Sequence, residues 1–155
     1  MNASPAPTGT AGDPVESVDL AAQLRLSATR LARRLRQETG FGLTPSQLSA
    51  LSTVERHGTI TLGRLAGCER VAPPTVTKVV AKLEADGLLE RTTDGNDRRI
   101  ARVTITPAGD ALLAEVRRRK DAWLAARILQ LDDDERARLA AALDVLDRLT
   151  TQEPS

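Results

Sequence analysis

Aromatic side chains are nearly missing from this sequence: Phe41 and Trp123 are the only two, and tyrosine does not occur. Aliphatic residues must therefore fill the core, and stacking of bases on aromatic platforms is excluded as a way of holding single-stranded nucleic acid. One cysteine, Cys68, cannot form an internal disulfide, and one histidine, His57, leaves no His-rich metal site. Metal-ligand spacing, a glycine-rich phosphate loop and a nucleophile motif are all lacking, so neither an enzyme nor a cofactor is expected. No apolar run reaches the roughly 18 residues that span a bilayer. Met1 to Glu16 shows neither the basic start nor the apolar stretch of a signal peptide, which with the cysteine count points to a reducing cytoplasm. An excess of one charge is lacking too: 22 Lys and Arg stand against 21 Asp and Glu, for a net charge of +1. That balance averages unlike regions, because Arg25, Arg30, Arg33, Arg34 and Arg36 crowd one early segment whereas Asp132, Asp133, Asp134 and Glu135 gather near the end.

A chain of 155 residues suffices for one domain with a real core, or a small domain plus an assembly surface. Residues 1–16 mix Ala, Pro, Thr, Gly and Ser without apolar periodicity and are expected to be a flexible tail. From Ser17 to about Thr39, Leu20, Leu24, Leu31 and Leu35 recur at helical spacing until Gly40 and Gly42 break the pattern. Those leucines are expected to be buried and the arginines between them solvated. Thr44-Pro45-Ser46-Gln47 starts a second helix with a capping box, Leu48, Leu51 and Val54 facing inward and His57-Gly58 at its end. His57 is expected to meet the last carbonyls of that helix. Ile60 suits a short strand contact, Thr61 a cap for a third helix with Leu62, Leu65 and Ala66 inward, and Cys68 a small buried or half-buried position.

The fourth helix has two opposed faces. Pro73 and Pro74 suit its first turn, whose N–H groups lack intrahelical partners anyway, and Gly87 ends it. At about 100° per residue, Val76, Val79, Val80 and Leu83 form an apolar stripe while Lys78 and Lys82 point away, with Thr75 and Thr77 on the flanks. Such a surface suits an anion: hydroxyls meet base edges or phosphates, and lysines meet phosphates or guanine. Leu88 to Thr92 and Ile100 to Thr106 read as a hairpin around Asp94-Gly95, with Arg98 and Arg99 near its tip. Helix and tip together make one cationic ridge, and an arginine there suits a narrow A·T minor groove. Thr106-Pro107 opens a fifth helix whose Leu112, Val116, Trp123 and Ile128 face inward to about Leu131. Asp132 then caps a sixth, with Glu135 at the capping-box position and Leu139, Leu143 and Leu146 inward. The acidic run there has an ordinary reason, since carboxylates favour the positive end of a helix dipole.

These residues resemble the MarR family of bacterial transcriptional regulators over essentially the whole chain after the tail. The resemblance is carried by Leu65-Ala66, by Pro74 to Val80 with Leu83-Glu84 and Gly87-Leu88, and by Asp94, Asp97, Arg98, Arg99 and Val103 to Thr106 ahead of Gly109. It implies a mainly α (α+β by strict count) winged helix-turn-helix, with a two-stranded wing and a helical dimerisation region from both chain ends. By residue, 17–43 and 107–150 would dimerise and 44–106 would bind DNA. The implied function is a homodimeric regulator, a repressor, on a pseudo-palindromic double-stranded DNA operator, with helix 73–86 in the major groove and wing 93–99 in the minor groove. Carried over, Pro73 and Pro74 set the entry of the recognition helix, and Thr75, Thr77, Lys78 and Lys82 become major-groove or phosphate contacts. Arg98 and Arg99 become wing contacts, Asp97 orients an arginine, and Arg64 meets phosphate. Ala72 stands where relatives place a capping Ser or Asp, and Glu69 where a leucine is common. Many relatives release DNA on binding small aromatic anions, so a small-molecule effector belongs to the family expectation. With so few rings here, and no cysteine early in the first helix, neither that mechanism nor peroxide sensing is assigned. The rival to DNA binding is a winged helix used for protein assembly.

Overall fold

Proline and a capping side chain mark most helix starts in the computed structural model, which describes residues 14–38, 41–93 and 101–151. In chain order the elements are α1 (Pro14–Gln37), α2 (Pro45–His57), β1 (Ile60–Thr61), α3 (Leu62–Glu69), α4 (Pro73–Ala85), β2 (Leu89–Thr93), β3 (Ala101–Ile105), α5 (Pro107–Ile128) and α6 (Asp133–Thr151). The chain divides into two compact units, α1 with the residues before it and everything after it. Helix α1 has no buried residue; Leu20 is 65 % exposed and Leu31 45 %. The leucines of this helix, expected to be buried, are not. It also begins at Pro14, inside the stretch assigned to the tail. Residues 1–13 and 39–40, which include the rest of that tail and the expected helix end at Thr39, lie outside the described residues.

The second unit is built on the caps. Thr44 Oγ1 accepts the Gln47 N–H (3.3 Å) while Gln47 Oε1 accepts the Thr44 N–H (2.7 Å), the reciprocal box that the sequence predicts. Strands β1, β3 and β2 form an antiparallel sheet in that order, pairing Ile60 with Val103 and running from Leu89 opposite Ile105 to Thr93 opposite Ala101. Leu88 and Thr106, read as strand residues, fall one step outside it. Instead the Leu88 N–H bonds the Leu83 carbonyl at the exit of α4, and the Thr106 N–H bonds the Leu88 carbonyl.

Helices α2, α3 and α4 close over this sheet around Leu51, Val54, Ile60, Leu65, Val80, Leu83 and Val103, all fully buried. Each such side chain contributes about 1.5–3 kcal/mol by leaving water. Leu48, Leu62, Val79 and Leu112 are only partly buried against that cluster, while Ala50 and Leu113, not singled out from periodicity, lie inside it. Only the first half of α5 is buried, at Gly109, Leu113 and Val116, and its helix ends at Ile128 rather than Leu131. Helix α6 starts as expected, with Asp132 Oδ1 accepting the Glu135 N–H (2.7 Å) and Glu135 Oε2 accepting the Asp132 N–H (3.1 Å). Its inward residues are a correction: Leu139 is 40 % exposed, Leu143 53 %, and no residue of α6 is buried. Periodicity identifies an apolar stripe but not whether the covering surface belongs to the same molecule.

Candidate nucleic-acid interface

The turn between α3 and α4 is made by Arg70 in the left-handed region (φ 53°), whose N–H reaches the Ala66 and Gly67 carbonyls. The Val71 N–H also bonds the Ala66 carbonyl (3.2 Å), and Ala72 is extended (φ −65°, ψ 143°), as a residue before proline must be. Helix α4 then starts without a side-chain cap. Two prolines remove the N–H groups of its first two positions, and the third, Thr75, gives its N–H to the Ala72 carbonyl (2.9 Å). The missing Ser or Asp at position 72 thus leaves little unsatisfied. Glu69, the other departure from the family pattern, has its Oε1 held by the hydroxyl of buried Thr53 (2.6 Å).

Burial divides α4 into the two faces that the spacing predicts. Val76, Val80 and Leu83 are buried; Pro73, Pro74, Thr75, Thr77, Lys78 and Lys82 are exposed. Ala81 and Ala85, which carry no chemistry in the sequence, are exposed too and fall on the Lys78 side at about 100° per residue. Thr77 gives its hydroxyl hydrogen to the Pro73 carbonyl (3.0 Å), which leaves its lone pairs and methyl for an outside contact. Lys82 pairs with Asp86 one turn on (2.8 Å), so its charge is shared within the helix whereas Lys78 is in no ion pair among the described residues. The Lys82–Asp86 spacing was legible as an i,i+4 pair. A second pair was not: Arg91 on β2 bonds Glu84 on α4 (2.9 Å), tying the strand to the helix. Arg64 is exposed on the first turn of α3, where its N–H bonds the capping Thr61 hydroxyl (3.2 Å). Asp97, Arg98 and Arg99, with the Asp94-Gly95 turn, lie outside the described residues.

At the far end of α4, Gly87 takes the positive φ (71°) that turns the chain into β2. Its carbonyl accepts the Thr106 hydroxyl hydrogen (2.7 Å), while the Thr106 oxygen accepts the Gly109 N–H (3.1 Å) and so caps α5. One hydroxyl thereby stitches the exit of α4 to the start of α5. Two further expectations fail here. Cys68 is exposed rather than buried, and His57 Nε2 lies 3.9 Å from its sulfur instead of meeting the helix carbonyls. Leu65 and Ala66 take the buried face of α3, which leaves Cys68 on its outer side. Among the described residues no group of three or more His, Cys, Asp or Glu is placed to hold a metal, and no helix is long and apolar enough to cross a membrane.

The MarR family model matches residues 43–101, from the entry of α2 to the start of β3. Over 136 residues the chain is 38 % identical to an uncharacterized HTH-type transcriptional regulator of Mycobacterium leprae, covering 87 % of this chain and 95 % of that one. A structure from Pseudomonas aeruginosa described as a transcriptional regulator superposes with a TM-score of 0.80 at 36 % identity, over 89 % of this chain and 99 % of that one. A MarR family protein from Bacillus stearothermophilus gives 0.75 at 26 % identity, over 92 % and 100 %. The chain belongs to the MarR family of transcriptional regulators, and α2 to β3 build that family's DNA-binding winged helix-turn-helix.

Proposed function

We propose that two copies of this chain form a homodimer that binds a pseudo-palindromic double-stranded DNA operator and represses transcription from it. The observation that carries this reading is the division of α4, with Val80 and Leu83 fully buried and Lys78, Lys82, Thr75 and Thr77 exposed on the other sides. Buried aliphatics hold the helix rigidly against the sheet, so the exposed groups are presented at fixed spacing to a major groove. Pro73 and Pro74 set the entry of that helix, and Arg64 adds a phosphate contact from α3. Arg98 and Arg99 reach the flanking minor groove, with Asp97 orienting one of them. A two-fold dimer would set its two recognition helices about 34–36 Å apart, one turn of DNA. Residues 17–43 and 107–150 supply the dimer contacts, and 44–106 the DNA contacts. Release of the operator by a small molecule completes the proposal.

Fluorescence anisotropy of a labelled operator fragment against salt tests it. The logarithm of affinity should fall linearly with the logarithm of salt, by about 0.9 for each phosphate contacted. A flat response, or no binding to any genomic fragment, would replace this reading with a winged helix used for protein assembly.

A further inference from the structure

Between the start of α2, the end of α3 and the start of α4 lies an open cleft of about 280 Å³. Ala50, Val71, Val76 and Val79 give it apolar walls, Ser46, Ser49 and Thr75 add hydroxyls, and the Glu69 carboxylate supplies the formal charge. Among the described residues Thr53 is the hydrogen-bond donor to that carboxylate, and no lysine or arginine pairs with it. An ionised carboxylate accepts several hydrogen bonds, so capacity for a donor remains.

Two helices begin at this cleft, and helix starts ordinarily attract anions through their free N–H groups. Here most of those groups are absent or engaged, the Ser46 N–H being the one left open among the described residues. Pro45, Pro73 and Pro74 have none, the Gln47 N–H is bonded to Thr44 Oγ1, and the Thr75 N–H is bonded to the Ala72 carbonyl. The hydroxyls and the Ser46 N–H could serve either sign of charge, so the unpaired Glu69 carboxylate decides: it repels an anion and pairs with a cation.

We propose that this cleft is a binding site for a small amphipathic cation, a protonated amine whose ammonium pairs with Glu69 and whose apolar body lies along Val71, Val76 and Val79. The cleft volume is near the lower end for ligand pockets, which run from about 300 Å³ upward, and this limits the ligand to a single small ring or short chain. Thr75 lines the cleft and also flanks the exposed face of α4. Ligand and DNA therefore compete for it, a consequence that rests on the DNA-binding reading above.

The test uses the ¹⁵N-labelled full chain and 2-phenylethylamine, with 3-phenylpropionate as a probe of similar size and opposite charge. Saturable shifts of the Ser49, Thr75 and Val79 amides are expected with the amine and not with the acid. Glu69→Gln should weaken amine binding about tenfold while keeping the acceptor for Thr53. Ser49→Leu, which fills the cleft and leaves the Glu69–Thr53 bond alone, should abolish it; urea midpoints of both variants check folding. No amine binding at 10 mM, equal binding of the acid, or full affinity in Glu69→Gln would each overturn the site. In the DNA arm the amine should weaken duplex binding by the wild type and not by Ser49→Leu. Unchanged duplex affinity in the presence of bound amine would overturn the competition. A chain that binds no duplex at all would count against the regulatory reading, and the amide shifts would still decide the site.

Discussion

A methyl group at Gly109 would stand 2.4 Å from the Leu88 carbonyl oxygen and 2.7 Å from Ile105 Cγ1, the first of which is backbone and cannot yield cheaply. Gly109→Ala is expected to cost about 1–3 kcal/mol, the usual range for overpacking. A lower urea midpoint at unchanged slope would show it, and an unchanged midpoint would mean that α5 does not approach Leu88 so closely. Thr106 acts at the same place by hydrogen bonding rather than by shape, since its hydroxyl both donates to Gly87 and accepts from Gly109. Both residues were legible as a helix start in a Thr-Pro-Ala-Gly run. Their second role, holding the exit of the recognition helix, was not, because it depends on a contact with residues about 20 positions earlier.

Helix α4 carries two lysines whose surroundings differ, and the difference predicts unequal effects. Lys78→Ala should weaken operator binding and reduce the magnitude of the salt slope by about 0.9, the contribution of one phosphate. Lys82→Ala should do less, because Asp86 already shares that charge. By the same logic Asp86→Ala should tighten binding; anisotropy titrations at several salt concentrations would check all three, and weaker binding by Asp86→Ala would show that the pair positions Lys82 rather than masking it.

A different ion pair fastens α5 to α2. The Arg117 guanidinium bonds the Glu55 carboxylate through both nitrogens and holds its pKa below the ordinary 4.5, with the Arg117 pKa raised in turn. A carboxyl lowered by folding stabilises the fold above its unfolded pKa and loses that contribution as pH falls through the folded value. The coupling between Glu55→Gln and Arg117→Ala in urea unfolding should therefore be present at pH 7 and decline below 4.5, and it should also shrink in high salt because the pair is partly exposed. Glu115, pulled down to about 2 by hydrogen bonds from Arg118 and Arg119, belongs to one exposed helical turn, so its contribution to α5 is lost between pH 4.5 and about 2.

On the scale of the whole molecule, both terminal helices leave apolar side chains exposed. Leu20 and Leu31 on α1, and Leu139, Leu143 and Leu149 on α6, are between 40 % and 65 % exposed. Exposed apolar side chains at helical spacing on one element are what an association site presents. Leu143→Asp is expected to convert a sedimenting dimer to monomer at micromolar concentration and to make duplex binding weaker, with the α2–α4 core still folded. A wild-type chain that sediments as a monomer would remove the dimer from the proposal.

Much of the local structure follows from the sequence alone. Thr44, Thr61, Thr106 and Asp132 cap helices as their neighbours predict, because a cap is decided within four residues. The two faces of α4 are equally local, being a matter of 3.6-residue spacing. The strand ends Leu89, Thr93 and Ile105 differ by one residue from those that composition predicts, since backbone pairing with a neighbour sets them. Tertiary structure alone decided three things: that Cys68 is exposed, that Glu69 meets Thr53 across 16 positions, and that the leucines of α1 and α6 are left uncovered. Each depends on which distant surface arrives beside a residue, and periodicity within one segment carries no information about that.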